Sequence, residues 1–196
     1  MTQNGIMKMF KIFRKKEDNN ANAEAQVLYT KLTSPAYQII FKQEDANEGM
    51  SIAEEVICQY WKPRFLIDHN SKCAYEFMTD GEHLTTVTED DIDWDSLNGL
   101  PEECLDRAHH LYAHFPTRIS YYKNGVAQVS WQLNPDGMYY MDEDGFGMTD
   151  DEEVEIYGFI NRQGKVLVKF QNIHTDWDRL KSMRKEAERK IKADNC

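Results

Sequence analysis

Between Asp142 and Glu155 the chain reads DEDGFGMTDDEEVE, eight carboxylates in fourteen residues with no base among them. Like charges this dense repel one another unless water or counter-charge separates them. Such a run therefore ligates a hard cation, meets a basic partner, or stays solvated as a solubilising loop. Calcium is the cation to test, because it is held by oxygen ligands alone. An EF-hand loop places ligands at its first, third, fifth and twelfth positions, with glycine at the sixth. With Gly145 at the sixth, Asp142 and Asp144 fall correctly, but Tyr140 takes the first position and Asp151 the twelfth. The run is therefore no EF-hand, and calcium remains a candidate only for a non-standard loop.

Phe146 and Met148 lie inside the run, Phe146 between two glycines. An apolar anchor ringed by charge is the pattern of an electrostatically steered protein interface. The candidate partner-binding residues are Asp142, Glu143, Asp144, Phe146, Met148, Asp150, Asp151, Glu152 and Glu153. Tyr139 and Tyr157 flank them and read as strand residues turned toward a core.

A second constellation is Asp106, His110 and His114, spaced four residues apart on a predicted helix. Three successive turns are too long for one ion to take all three, so His110 and His114 are the candidate metal pair. An exposed polar helix face explains the same spacing. Four cysteines (Cys58, Cys73, Cys104 and Cys196) stand far apart, with no paired zinc spacing. No GxSxG, Walker A, HExxH or GxGxxG string occurs. No catalytic residue is assigned.

The elements that must hold these groups change character along the chain. Residues 1–23 form a basic segment and linker: Lys8, Lys11, Arg14, Lys15 and Lys16 alternate with Met7, Met9, Phe10, Ile12 and Phe13. Residues 7–16 could lie on an anionic membrane, or be a frayed terminus. Residues 24–196 read as a single α+β domain. Helices are expected over Glu24–Leu32, Ser51–Trp61, Pro101–Phe115 and from Thr175 onward. Ser51 and Glu54 have capping-box spacing, and Ile52, Val56 and Tyr60 share a helical face. Trp177, Leu180, Met183, Ala187 and Ile191 form an apolar stripe on the last helix.

Short strands are expected at Tyr37–Phe41, Arg64–Asp68 and Ala74–Met78. From Thr117 the period becomes two, with turns at Asn124-Gly125, Asn134 to Gly137 and Asn161 to Gly164. The expected fold is an antiparallel β-meander, mainly residues 117–170, packed with three to four helices. Within it, YGFINRQGKVLVKF (Tyr157 to Phe170) resembles a single unit of the WG-type β repeats. There an aromatic-Gly pair opens one strand and a glycine turn precedes the next. Tyr157 stands where that family has tryptophan, no second copy is visible, and the resemblance implies no catalytic role.

The formal net charge is −11, and the body between residues 17 and 177 carries 11 bases against 30 acids. Such a surface repels nucleic acid and attracts basic proteins. Free thiols and the lack of a secretory h-region point to the cytoplasm. The leading expectation is an acidic, bacterial-type protein-binding domain that needs no cofactor. Its concrete form is an immunity-type inhibitor of a basic toxin or nuclease. A metal-assisted enzyme using the helix histidines and a membrane-peripheral adaptor are the alternatives.

Overall fold

The computed structural model describes residues 21–34, 40–42, 48–57, 60–77, 87–111, 116–134, 140–141, 147–148 and 154–194. The basic segment at residues 7–16 lies outside them. A first helix, α1 (residues 21–32), begins two residues before the expected end of the linker and precedes an antiparallel sheet. That sheet runs in order β1 (Ile40–Lys42), β2 (Met50–Ile57), β3 (Tyr60–Asp68) and β4 (Cys73–Glu76). Two 3-10 turns, Glu89–Asp91 and Trp94–Leu97, lead to α2 (Glu102–His109).

A second antiparallel sheet follows: β5 (Arg118–Ile119), β6 (Ala127–Gln132), β9 (Glu155–Ile160) and β10 (Val166–Asn172), in spatial order β10-β9-β6-β5. Between β6 and β9 the chain makes an excursion. There, among the described residues, β7 (Tyr140–Met141) pairs with β8 (Gly147–Met148) and not with the larger sheet; Tyr139 lies outside the described residues. The last element is α3 (Trp177–Asp194). The fold is α+β with antiparallel sheets and, among the described residues, three α-helices.

The burial pattern stacks these elements in layers. Ile52 and Leu66 from the first sheet meet Ala127, Val129, Trp131, Ile156, Ile160 and Phe170 from the second in one core. Cys104 and Ala108 of α2 bury into this same core. The outer face of the first sheet holds Ala53, Phe65, Ile67 and Ala74 against Leu32 of α1. The outer face of the second holds Val126, Phe159, Leu167 and Val168 against Met183 and Ala187 of α3. Alternate residues along a strand point to opposite faces, so each sheet fills two cores at once.

This double coverage overturns the helix expected at Ser51–Trp61. Ser51, Ile52 and Ala53 are all buried, Ile52 in the central core and Ala53 under α1. A strand covered on both faces loses the polar-apolar alternation, and a short apolar run of that kind cannot be told from a helix by period. The Ser51 hydroxyl caps no helix; it hydrogen-bonds His69 Nε2 at 2.8 Å. Pro63, expected to follow a helix, lies in β3 beside a register shift between Ala53 and Glu54, the kind of bulge where a strand tolerates proline.

Two turns follow the expected chemistry. Asn124 and Gly125 both adopt positive φ, 55° and 75°, as a tight two-residue hairpin requires. In the β9–β10 turn, Asn161 Oδ1 accepts the backbone N–H of Gln163 and Lys165, each at 2.9 Å, and Gly164 has φ 84°. Gly158, in the middle of β9, lies under the Phe170 ring, where a Cβ would come within 2.6 Å of the ring carbons.

Candidate functional site

The β9–β10 hairpin is held differently at its two ends. At the turn, Arg162 Nε and Nη2 donate to both carboxylate oxygens of Asp68 at 3.0 and 2.8 Å. This bidentate pair joins the β9–β10 turn of the second sheet to the end of β3 in the first. Burial alone would raise the Asp68 carboxyl. The Arg162 hydrogen bonds and charge, together with Ser71, outweigh it and hold the group below 3.8. Arg162 Nη2 also donates to the Glu48 carbonyl at 3.0 Å. The Glu48 carboxylate in turn accepts the backbone N–H of Asn124 at 2.6 Å and Gly125 at 2.8 Å. Every charge in this cluster is spent on a partner inside the protein, which marks it as a structural lock.

At the open end of the hairpin lies a cleft of about 470 Å³. It is lined by Val154, Glu155 and Tyr157 at the start of β9, by Asn172 and Ile173 at the end of β10, and by Leu100. His174, Thr175 and Trp177 make the rim where β10 passes into α3. His174 and Thr175 take consecutive left-handed conformations, φ 43° and 67°. A β-branched residue there is strained, and such strain concentrates at functional sites. Their fixed turn is braced by Asn172 Oδ1, which accepts the His174 N–H at 2.8 Å.

The strained turn sets the start of α3 and so places Trp177. Trp177 was expected in the buried stripe of the helix, but it is 56% exposed, while Met183 and Ala187 of that stripe are fully buried. Its ring meets Tyr157 edge-on, with centroids 6.4 Å apart and planes inclined by 68°. Tyr157 is half-buried along the cleft wall, and its hydroxyl donates to Glu155 Oε2. The first donors of α3 are already taken: Asp176 Oδ1 accepts from the Asp178 and Arg179 N–H groups at 3.1 and 3.0 Å. No lysine or arginine is among the described lining residues. The cleft therefore presents a carboxylate and two aromatic rings, and offers no free helix end to an anion.

Compared with family models, curated proteins and solved structures, the chain matches none.

The residues singled out by sequence distribute unevenly around this geometry. Asp142, Glu143, Asp144, Phe146, Asp150, Asp151, Glu152 and Glu153 lie outside the described residues, as does His114. Met148 has its backbone in β8. The last residue of the acidic run, Glu155, lines the cleft, and Glu153 is bonded to the lining residue Val154. His110 and Asp106 are exposed at the end of α2, and His110 Nδ1 lies 2.7 Å from the Asp106 carbonyl oxygen. Helix α2 ends at His109 with His110 as its C-cap, and residues 112–115 of the expected helix lie outside the described residues. Among the described residues no group of three or more His, Cys, Asp or Glu could hold a metal ion. No described helix is long and apolar enough to cross a membrane.

A serine-histidine pair escaped the sequence reading. Ser51 and His69, 18 residues apart, hydrogen-bond at 2.8 Å, and the other His69 nitrogen lies 3.4 Å from the Tyr29 hydroxyl. Serine beside histidine is the composition of a nucleophile and its base. Ser51 is fully buried between the sheet and α1, however, so no substrate reaches its hydroxyl. The pair ties α1 to the first sheet.

Proposed function

We propose that this chain is a non-catalytic, acidic protein-binding domain that captures a basic protein in the cytoplasm. Its concrete form is an immunity-type inhibitor of a basic toxin or nuclease. The observation that carries this reading is contiguity: the acidic run Asp142–Glu155 ends inside a cleft walled by Glu155, Tyr157 and Trp177. The source of long-range attraction and the short-range apolar anchor are thus adjacent in the chain. The net charge of −11 supports steering, which speeds the encounter with a cationic partner and weakens as salt is added. Carboxylates standing where a nuclease expects phosphates would occlude its substrate site.

The test uses the partner captured from the native cell, purified, and mixed with the full chain in stopped-flow. Wild type is compared with a variant combining Asp150→Asn, Asp151→Asn, Glu152→Gln and Glu153→Gln. The variant is expected to associate roughly tenfold more slowly at low ionic strength, with a flatter salt dependence. Association unchanged in rate and in salt slope would sink the proposal.

A further inference from the structure

We infer that the cleft at the open end of the β9–β10 hairpin is an arginine-reading pocket. In it a guanidinium from the partner lies on the face of Trp177 and donates to Glu155. The inference rests on the protein-binding reading and names what that surface recognises.

Four observations converge on this ligand. An indole ring is the best aromatic face for a cation, and the Trp177 ring stands open to solvent at 56% exposure. Tyr157 packs against it in a T-shaped contact, which steadies the indole. Tyr157 donates to Glu155 Oε2 and so orients the carboxylate along the same wall. The remaining lone pairs of that carboxylate suit a forked N–H donor. Among the described lining residues Glu155 is the one carboxylate and none is a lysine or arginine, while Asp178 beside Trp177 is already paired with Lys181 at 2.8 Å. Guanidinium fits better than ammonium because it is planar, weakly hydrated and able to stack while donating in its own plane. The strained His174–Thr175 turn fixes the rim, so the pocket is set before the ligand arrives.

The pocket also divides the labour of recognition. The acidic run supplies attraction that any basic surface would feel, and a stacked, hydrogen-bonded guanidinium supplies register. Specificity of this kind comes from one anchored side chain within a field of weak contacts.

The experiment is a heteronuclear NMR titration of the full chain with acetyl-Gly-Arg-Gly-amide. The control is acetyl-Gly-citrulline-Gly-amide, which keeps the shape of the side chain and removes its charge. The expected result is a shift of the Trp177 indole N–H and of the amides of Glu155, Tyr157, His174 and Thr175, saturating with the arginine peptide. Citrulline should bind at least about threefold more weakly, and Trp177→Ala and Glu155→Gln should each weaken arginine binding roughly fivefold. Both replace exposed or half-buried groups, and preserved spectral dispersion would show that the fold is intact. Equal binding of citrulline, shifts scattered over the acidic surface, or no shift at tens of millimolar peptide would overturn the inference.

The variant neutralised at Asp150–Glu153 separates this inference from the broader reading. Pocket shifts that persist in it confirm that the cleft works apart from the run. Pocket shifts that vanish with it overturn the pocket. If the cleft fails while that variant still slows association with the captured partner, only the arginine assignment falls.

Discussion

Arg162 stands at the closed end of the β9–β10 hairpin, and Glu155 and Trp177 stand at or beside its open end. Both ends combine charge with hydrogen-bonded aromatic side chains, but they use them in opposite ways. At the closed end, Asp68 keeps only 10% of its side chain in solvent and Arg162 26%, and each satisfies the other. The buried Tyr122 hydroxyl there donates to the Asn161 carbonyl at 3.1 Å. At the open end the indole is exposed, the turn is strained, and the cleft-lining Glu155 is held by the Tyr157 hydroxyl. Burial turns charge into architecture, because removing either partner strands the other in low dielectric. Exposure leaves charge available for recognition, and substitution there costs little stability.

The largest test of this contrast is Arg162→Met. It should lower stability by about 3 kcal/mol, the low side of the range for a broken buried pair because Arg162 is partly solvated. The melting temperature should fall by roughly 6–12 °C for a chain of this size, while the arginine-peptide shifts at the cleft stay as in wild type. The same variant carries a pH signature. The folded-state pKa of Asp68 lies below its unfolded value of 3.8, so its contribution is fully present above that value. It is lost as pH falls through the lower folded value. Urea midpoints measured below about pH 4 should therefore fall more steeply for wild type than for Arg162→Met.

A middle-sized effect is expected at Glu48→Gln. One of the two carboxylate oxygens that accept the Asn124 and Gly125 N–H groups is replaced by a donor, which should cost about 1–2 kcal/mol in denaturant unfolding. The smallest stability effect belongs to the open end: Trp177→Ala should stay within about 0.5 kcal/mol of wild type while weakening arginine-peptide binding roughly fivefold. If Trp177→Ala unfolds the protein as readily as Arg162→Met does, the contrast between the two ends is broken.

Much of the second half of the fold was legible in sequence. Asn124-Gly125 and the Asn161 to Gly164 turn encode hairpins in local chemistry alone, and the α3 stripe of Leu180, Met183, Ala187 and Ile191 has the helical period. The first sheet was harder to read. Ser51, Ile52 and Ala53 are buried on both faces, so the alternation that announces a strand is erased, and a chance capping-box spacing argued for the wrong element. Trp177 shows a different failure. Its spacing fits the buried stripe, yet it is the first residue of α3, and the turn at His174–Thr175 carries it off the end of the sheet. Left-handed backbone at histidine and threonine has no signature in residue type. The candidate residues of the acidic run stop at Glu153, short of Glu155, because the partnership of Glu155 with Tyr157 and Trp177 exists only once the hairpin and the helix are assembled.

The excursion holding β7 and β8 has a consequence for change over time. Its two ends are neighbours in the larger sheet: Gln132 pairs with Glu155, and the Leu133 N–H donates to the Val154 carbonyl at 2.7 Å. A chain that leaves and re-enters a sheet at adjacent strands can lengthen, shorten or exchange its contents without disturbing the register beneath it. The stretch between Leu133 and Val154 can therefore change in length or content while the strands that flank it keep their register.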